Sequence, residues 1–277
     1  MTGNTSSSAL PSLQQRPAFD TIAEEYDQIF TYSILGKAQR SLVHMALRGS
    51  FREGQHVLDL NCGTGEDAIL IAAKGISVLA CDVSKRMIGV ARQKIASYNA
   101  KLPVTFAVCA NEHLDLLKDC GQFDGALSNF GGLNCTADLT QVSRGLSDLI
   151  RPGGEVFLCM LGHFCAWEVV WHSVHGRWGK AFRRLKTGGV DSRIGGEIVH
   201  VHYPSVRQMR EAFAPAFRLA SWRGIGVAVP PSWMEPIFQD HPSFVDWLTQ
   251  IDRWLGVVPG FRGVADHVLL RFVREEK

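Results

Sequence analysis

The chain has 277 residues, 46% of them apolar and 20% charged, with a formal net charge of +2 at pH 7. That apolar content is enough for a sizeable core, and a charge so near neutral argues against a nucleic-acid partner. Seven cysteines, an odd number with no C-x-x-C pair, exclude a disulfide framework and a recognisable zinc site, so no metal is expected.

Residues 1–17 are rich in Ser, Thr, Gln and Pro and lack an apolar h-region, so they read as a disordered tail and not as a secretory signal. No apolar run nears the ~18 residues of a membrane span, so no membrane partner and a cytoplasmic location are expected. Residues 18–30 and 37–48 read as helices, and Gly49 and Gly54 punctuate the approach to the first strand. From there strand and helix patterns alternate. Strands are predicted at 56–60, 77–82, 104–109, 124–129 and 155–161, and helices at 65–74, 84–97 and 137–150. The last of these carries Leu139, Val142, Leu146 and Leu149 in a single apolar stripe. Near-continuous apolar strands between amphipathic helices predict an α/β fold on a doubly wound, mostly parallel sheet.

The pattern changes after residue 161. Residues 166–186 read as a helix broken at Gly176 and Gly179, 187–198 as a Gly-rich stretch, 205–214 as a short helix, 217–229 as apolar stretches and 267–274 as a final strand. All seven tryptophans follow residue 160. The expected division is therefore a tail (1–17), N-terminal helices forming part of a cap (18–55), a ligand-binding core (56–161), a helical and aromatic cap with a late strand (162–262), and a returning core strand (263–277).

The strongest chemical signal is the run from His56 to Ala68. A short apolar strand ends in Asp59, and Gly63-Thr64-Gly65 then turns the chain into a helix, so backbone N–H groups can approach a ligand closely. Gly63, Gly65 and Ala68 also satisfy the dinucleotide fingerprint, and Asp82 stands about 20 residues on, where a ribose-binding acid belongs. Asp59 speaks against NAD: at the mouth of the strand it would repel a pyrophosphate. It suits an ammonium group. S-adenosylmethionine offers that ammonium and a ribose diol for Asp82, without a phosphate.

Taken together, the segments resemble the class I S-adenosylmethionine-dependent methyltransferases of the bacterial small-molecule branch. Asp59-Leu-Asn-Cys-Gly-Thr-Gly65 matches the family's D-x-x-x-G-x-G motif, and Val78 to Asp82 followed by Ser84-Lys-Arg-Met87 matches its second motif. Phe123 to Phe130 looks like the fourth strand, Leu149 to Gly154 like the turn into the fifth, and Phe19 to Asp27 like the helix that folds over the cofactor. The resemblance implies a Rossmann-like sheet of seven strands, the last antiparallel. It implies S-adenosyl-L-methionine as cofactor and methyl transfer by in-line displacement to a small-molecule acceptor, in a monomer or homodimer.

Carried over by position, the resemblance implies that Asp59 takes the ammonium and Asp82 the ribose hydroxyls. Asn61, Cys62, Gly63 and Gly65 would form the turn against the cofactor, Val83 and Met87 would flank the adenine, and Tyr26 would lie near the sulfonium. The family's third motif offers an acid near the adenine amine; here Ala110-Asn111 stands there, and the amide of Asn111 would substitute. Asn129 and Phe130 would face the methyl group. His163, just past the fifth strand, is the first candidate base for a hydroxyl acceptor. Trp167, Trp171, Arg177 and Arg183 are candidate acceptor contacts. His200 and His202 share one strand face and have no third ligand in sight, so they read as polar-face residues. Rival readings are a methyltransferase acting on RNA or protein, a non-catalytic cofactor-binding protein and an NAD-dependent reductase.

Overall fold

Each apolar run between residues 56 and 161 that reads as a strand is one in the structure, a computed structural model describing residues 18–98 and 101–276. The segment expected to be a disordered tail, 1–17, lies outside the described residues. Five strands run parallel: β1 (His56–Leu60), β2 (Ser77–Asp82), β3 (Val104–Val108), β4 (Phe123–Ser128) and β5 (Ile150–Leu161). The Gly-rich stretch takes regular form. It is a hairpin of β6 (Val190–Ile194) and β7 (Glu197–Val201), turned by Gly195-Gly196, both at positive φ as a tight primed turn requires. The last two strands, β8 (Phe217–Ile225) and β9 (His267–Arg274), complete a seven-stranded sheet of order β3-β2-β1-β4-β5-β9-β8, in which β9 alone runs antiparallel.

Strand order reverses between β1 and β4, which opens a crevice at their carboxyl ends, where ligands of such sheets bind. Because β9 runs the other way, its first residue, His267, comes to that same edge, beside Leu161 at the end of β5.

The helices are α1 (Ile34–Ala46), α2 (Glu66–Ala72), α3 (Lys85–Ala96), α4 (Leu139–Leu149), α5 (Ala166–Val174), α6 (Trp178–Ala181), α7 (Val206–Phe213), α8 (Glu235–Phe238) and α9 (Pro242–Leu255). Alternation along β1 sends Val57 to one sheet face and Leu58 and Leu60 to the other. On the Leu58 face α4 and α7 bring Val142, Leu146, Leu149, Met209 and Phe213. On the Val57 face α1, α2 and α9 bring Leu42, Val43, Ile71, Val245 and Leu248. Each such fully buried side chain contributes about 1.5–3 kcal/mol. Among the described residues no helix is long and apolar enough to cross a membrane.

Three expectations need correction. Residues 18–30 do not form one helix: a 3-10 turn (Ala18–Ile22) and a π-turn (Asp27–Thr31) share the segment, whose Asp27 is tied across to the glycine turn through Thr64. Gly179 does not break a helix; it sits inside α6, and the interruption is at Gly176, at φ +69°. Helix α9 went unforeseen. Its amino end is His241-Pro242, and its buried face interleaves Thr249 and Asp252 with Val245 and Leu248.

Candidate functional site

Loops at the carboxyl ends of β1 to β4 enclose a cavity of about 170 Å³. Asn61 and Gly63 follow β1, Asp82 and Val83 end β2, Met87 comes from α3, Ala110 and Asn111 follow β3, and Asn129 and Phe130 follow β4. Tyr26 closes the cavity from the N-terminal segment. The structure thus gathers the cofactor residues expected from sequence except Asp59, Cys62 and Gly65, which do not line it. Phe19, Glu112, Gly132, Cys135 and Thr136 line it too and were missed. Glu112 adjoins the expected Asn111 and lines the same cavity.

The glycine turn is bound to β2. One Asp82 oxygen accepts from Ser84 N at 2.8 Å and the other from Gly63 N at 3.0 Å. Burial raises the pKa of Asp82, and those backbone bonds oppose the rise. Gly65 has φ +79°, and a Cβ there would stand 3.0 Å from Ala91 Cβ, so no larger residue fits the turn. Asp59 lies beneath, 1% exposed, with Oδ2 unpartnered. Burial raises its pKa well above the carboxylate range and the nearby Asp67 adds to the rise, while Arg40 opposes it. The amide of Asn111 is largely engaged: its oxygen accepts from Asn61 Nδ2 at 3.1 Å and its nitrogen donates to Thr136 Oγ1 at 2.8 Å. One lone pair of that oxygen remains for a ligand.

Two non-glycine residues at this edge, Asn61 (φ +55°) and Phe130 (φ +52°), adopt the left-handed conformation. For Phe130 the strain is about 1–3 kcal/mol, sustained only where surroundings enforce it. They do: its N–H donates to Asn129 Oδ1 at 3.0 Å, Phe30 packs edge-on at 5.0 Å, and the Arg40 guanidinium stands 4.8 Å from its ring centre. Asp67 anchors this cluster, accepting from Asn129 Nδ2 at 3.1 Å and bonding Arg40 and His44. Burial alone would raise the pKa of Asp67, but Arg40 and His44 hold it below the usual carboxylate range.

The N-terminal segment is bolted over the turn. Asp27 accepts from Thr64 Oγ1 at 2.6 Å and pairs with Lys94 at 2.6 Å, and Asp20 bonds Ser84 Oγ. Tyr26 is thereby held above Gly63, its Cε1 only 4.0 Å from where a Cβ would project. Burial pushes the Tyr26 hydroxyl up to about 12, so it stays protonated.

A second cavity of about 240 Å³ begins on the other side of Tyr26 and Phe130, which line both. Its walls include Phe30, Tyr203, Trp233, Arg183, Arg184, Asp266 and His267. Of the expected acceptor contacts only Arg183 is here. Arg177 is exposed and lines neither cavity, Trp167 packs edge-on to Phe238 at 6.2 Å, and Trp171 to Trp233 at 6.1 Å. His163 is exposed and lines neither cavity; its Nδ1 meets the Tyr203 carbonyl at 2.8 Å. His267 was missed, although an antiparallel last strand brings its first residue to the ligand edge.

Residues 57–154 match the family model of the methyltransferase domain. The chain is 31% identical over 152 residues to a demethylmenaquinone methyltransferase of Symbiobacterium thermophilum, a stretch covering 52% of this chain and 57% of that relative. It spans a little over half the length of the curated relatives it matches. Among solved structures it resembles the CcbJ methyltransferase from Streptomyces caelestis, with a TM-score of 0.61, 15% identity and coverage of 95% and 100% of the two chains. It also resembles phosphoethanolamine N-methyltransferase 2 of Haemonchus contortus in complex with S-adenosyl-L-methionine, with a TM-score of 0.58, 20% identity and coverage of 93% and 57%. Identities this low speak to fold alone. Sheet order, the Asp59-to-Gly65 turn and the family match agree: residues 57–154 have the fold and match the family model of a methyltransferase domain.

Proposed function

We propose that the protein binds S-adenosylmethionine in the first cavity and transfers its methyl group to a small-molecule acceptor in the second. The observation that carries this reading is the pair of abutting cavities with Tyr26 and Phe130 as their common wall. The residues of the first cavity fit the cofactor. Asp82 suits a ribose diol, and Asp59 Oδ2, buried without a partner beneath the cavity, suits an ammonium reached through water. Val83 and Met87 offer apolar contact to an adenine, and Asn111 and Glu112 offer it acceptors. When bound, the cofactor supplies an already activated methyl group.

The chain's own part is positioning and exclusion of water. Tyr26 and Phe130 wall the boundary the methyl group would cross, and a dry, preorganised boundary favours loss of positive charge at sulfur. NAD is disfavoured on a separate ground: the Gly63 N–H is already given to Asp82 and is not free for a pyrophosphate. A volume of about 240 Å³ favours a small acceptor over RNA or protein. The family match ends at residue 154, before the residues after β5 that wall the second cavity, so the relatives' acceptors do not carry over.

Calorimetric titration with S-adenosylmethionine, S-adenosylhomocysteine and NAD tests the cofactor. Binding of the first two and not of NAD is expected, and the reverse order of affinity would overturn the reading. Release of S-adenosylhomocysteine in the presence of acceptors then separates an enzyme from a silent binding protein.

A further inference from the structure

We infer that the second cavity takes a flat acceptor bearing an ionisable ring hydroxyl, and that His267, backed by Asp266, removes its proton. The inference rests on the methyltransferase reading and adds to it the acceptor's chemistry and the base. Flatness follows from the walls. Tyr26, Phe30, Phe130, Tyr203 and Trp233 put five aromatic side chains in the cavity lining, and such a lining favours a planar guest.

The base follows from placement. His267 is 5% exposed, its ring stands edge-on to Phe130 at 5.6 Å, and its Nδ1 faces Asp266 Oδ2 at 3.2 Å. That leaves Nε2 for a ligand in the cavity the ring lines. Asp266 is itself held by Arg184, whose Nη2 donates to Oδ1 at 2.7 Å and whose Nη1 donates to the Asp266 carbonyl at 2.7 Å. Arg184 also bonds Glu168 through Nε at 2.5 Å, and Arg183 meets the other Glu168 oxygen. Two guanidinium groups therefore face two carboxylates, and this matched network stands behind the His267 imidazole through Asp266.

The other titratable groups nearby stay fixed. Tyr26 and Tyr203 remain phenols because burial raises both, and burial pushes the thiols of Cys159 and Cys165 up to about 12. Across Phe130, Arg40 is matched by Asp67. His267 is the imidazole that lines this cavity. In the step, the acceptor O–H bond breaks, its electron pair stays on oxygen, and the proton joins Nε2. The imidazolium is balanced by Asp266, and the oxyanion falls beside the guanidinium of Arg183, which lines the cavity and pairs with Glu168.

The test needs no cofactor. The protein is titrated with 4-nitrophenol, whose phenol and phenolate differ in absorbance, across a range of pH. Bound probe should ionise about one pH unit lower than free probe, a tenfold rise in the phenolate ratio at a given pH. His267→Gln should keep binding within about threefold and abolish the shift. Absence of binding at millimolar probe, an unshifted midpoint, or a shift that survives in His267→Gln would overturn the inference. Should that variant fail to fold, wild-type protein with 15N-labelled histidine decides: probe binding should convert one imidazole to imidazolium, and an unchanged spectrum overturns the proposal. Loss of S-adenosylhomocysteine binding with the probe shift intact would strike the donor assignment and not this one.

Discussion

Asp82→Ala is the sharpest test of the first cavity. The carboxylate is 9% exposed and accepts from two backbone N–H groups, at 2.8 and 3.0 Å. Facing a ribose, it would accept two more bonds. Each hydrogen bond to a charged group is worth about 1.5–3 kcal/mol, but burial already raises the pKa of Asp82, so part of that gain offsets desolvation. A net loss of about 2–3 kcal/mol is expected, roughly a 30- to 150-fold rise in the Kd for S-adenosylhomocysteine. Calorimetry measures it, with an analogue lacking both ribose hydroxyls as control. The analogue should bind wild type and variant almost alike, because it never made the bonds that the variant lacks. A Kd unchanged within threefold, or an equal loss with both ligands, would refute the diol assignment.

Asp59→Asn should raise the melting temperature of the ligand-free protein near pH 8, because it removes a buried, partly unpartnered carboxylate, yet weaken S-adenosylhomocysteine about tenfold by calorimetry. Gly65→Ala puts a Cβ into a left-handed position 3.0 Å from Ala91 Cβ and 3.3 Å from Phe106, for a loss of about 2–3 kcal/mol in urea unfolding. Asp27 has a lowered folded-state pKa: burial opposes the shift, and the bonds from Lys94 and Thr64 outweigh it. Its contribution is fully present above the ordinary carboxylate range and is lost as pH falls through the lowered value. The urea midpoint should therefore drop between about pH 5 and 3, and drop less in Asp27→Asn. An equal slope in both proteins would show that Asp27 is not part of the acid response.

The parallel half was legible because burial on both faces leaves its strands almost uninterrupted apolar runs, as the fully buried Val57, Leu58 and Leu60 show. The turn from Asp59 to Gly65 was legible because ligand approach, positive φ and packing all demand the same small residues. Contacts across the chain were not. Thr64 and Asp27 are 37 positions apart, and Arg184 and Asp266 are 82, so no periodicity links them. The carboxylate of Glu235, which accepts from Ile34 N at 2.7 Å and Leu35 N at 2.9 Å, serves as a cap supplied from 200 residues away. His163 drew attention by lying just past a parallel strand. His267 lay hidden at the start of a strand, where the antiparallel direction reverses which end faces the ligand.

Tyr26 and Phe130 touch both compartments, and each is fixed by an acid outside them: Asp27 beside one, Asp67 behind the other. Guests on the two sides therefore press on one partition. If the first to arrive sets the tilt of these rings and eases entry of the second, the second must retain the first by the same factor. Departure after reaction is then coupled as well: emptying either chamber loosens the hold on the other.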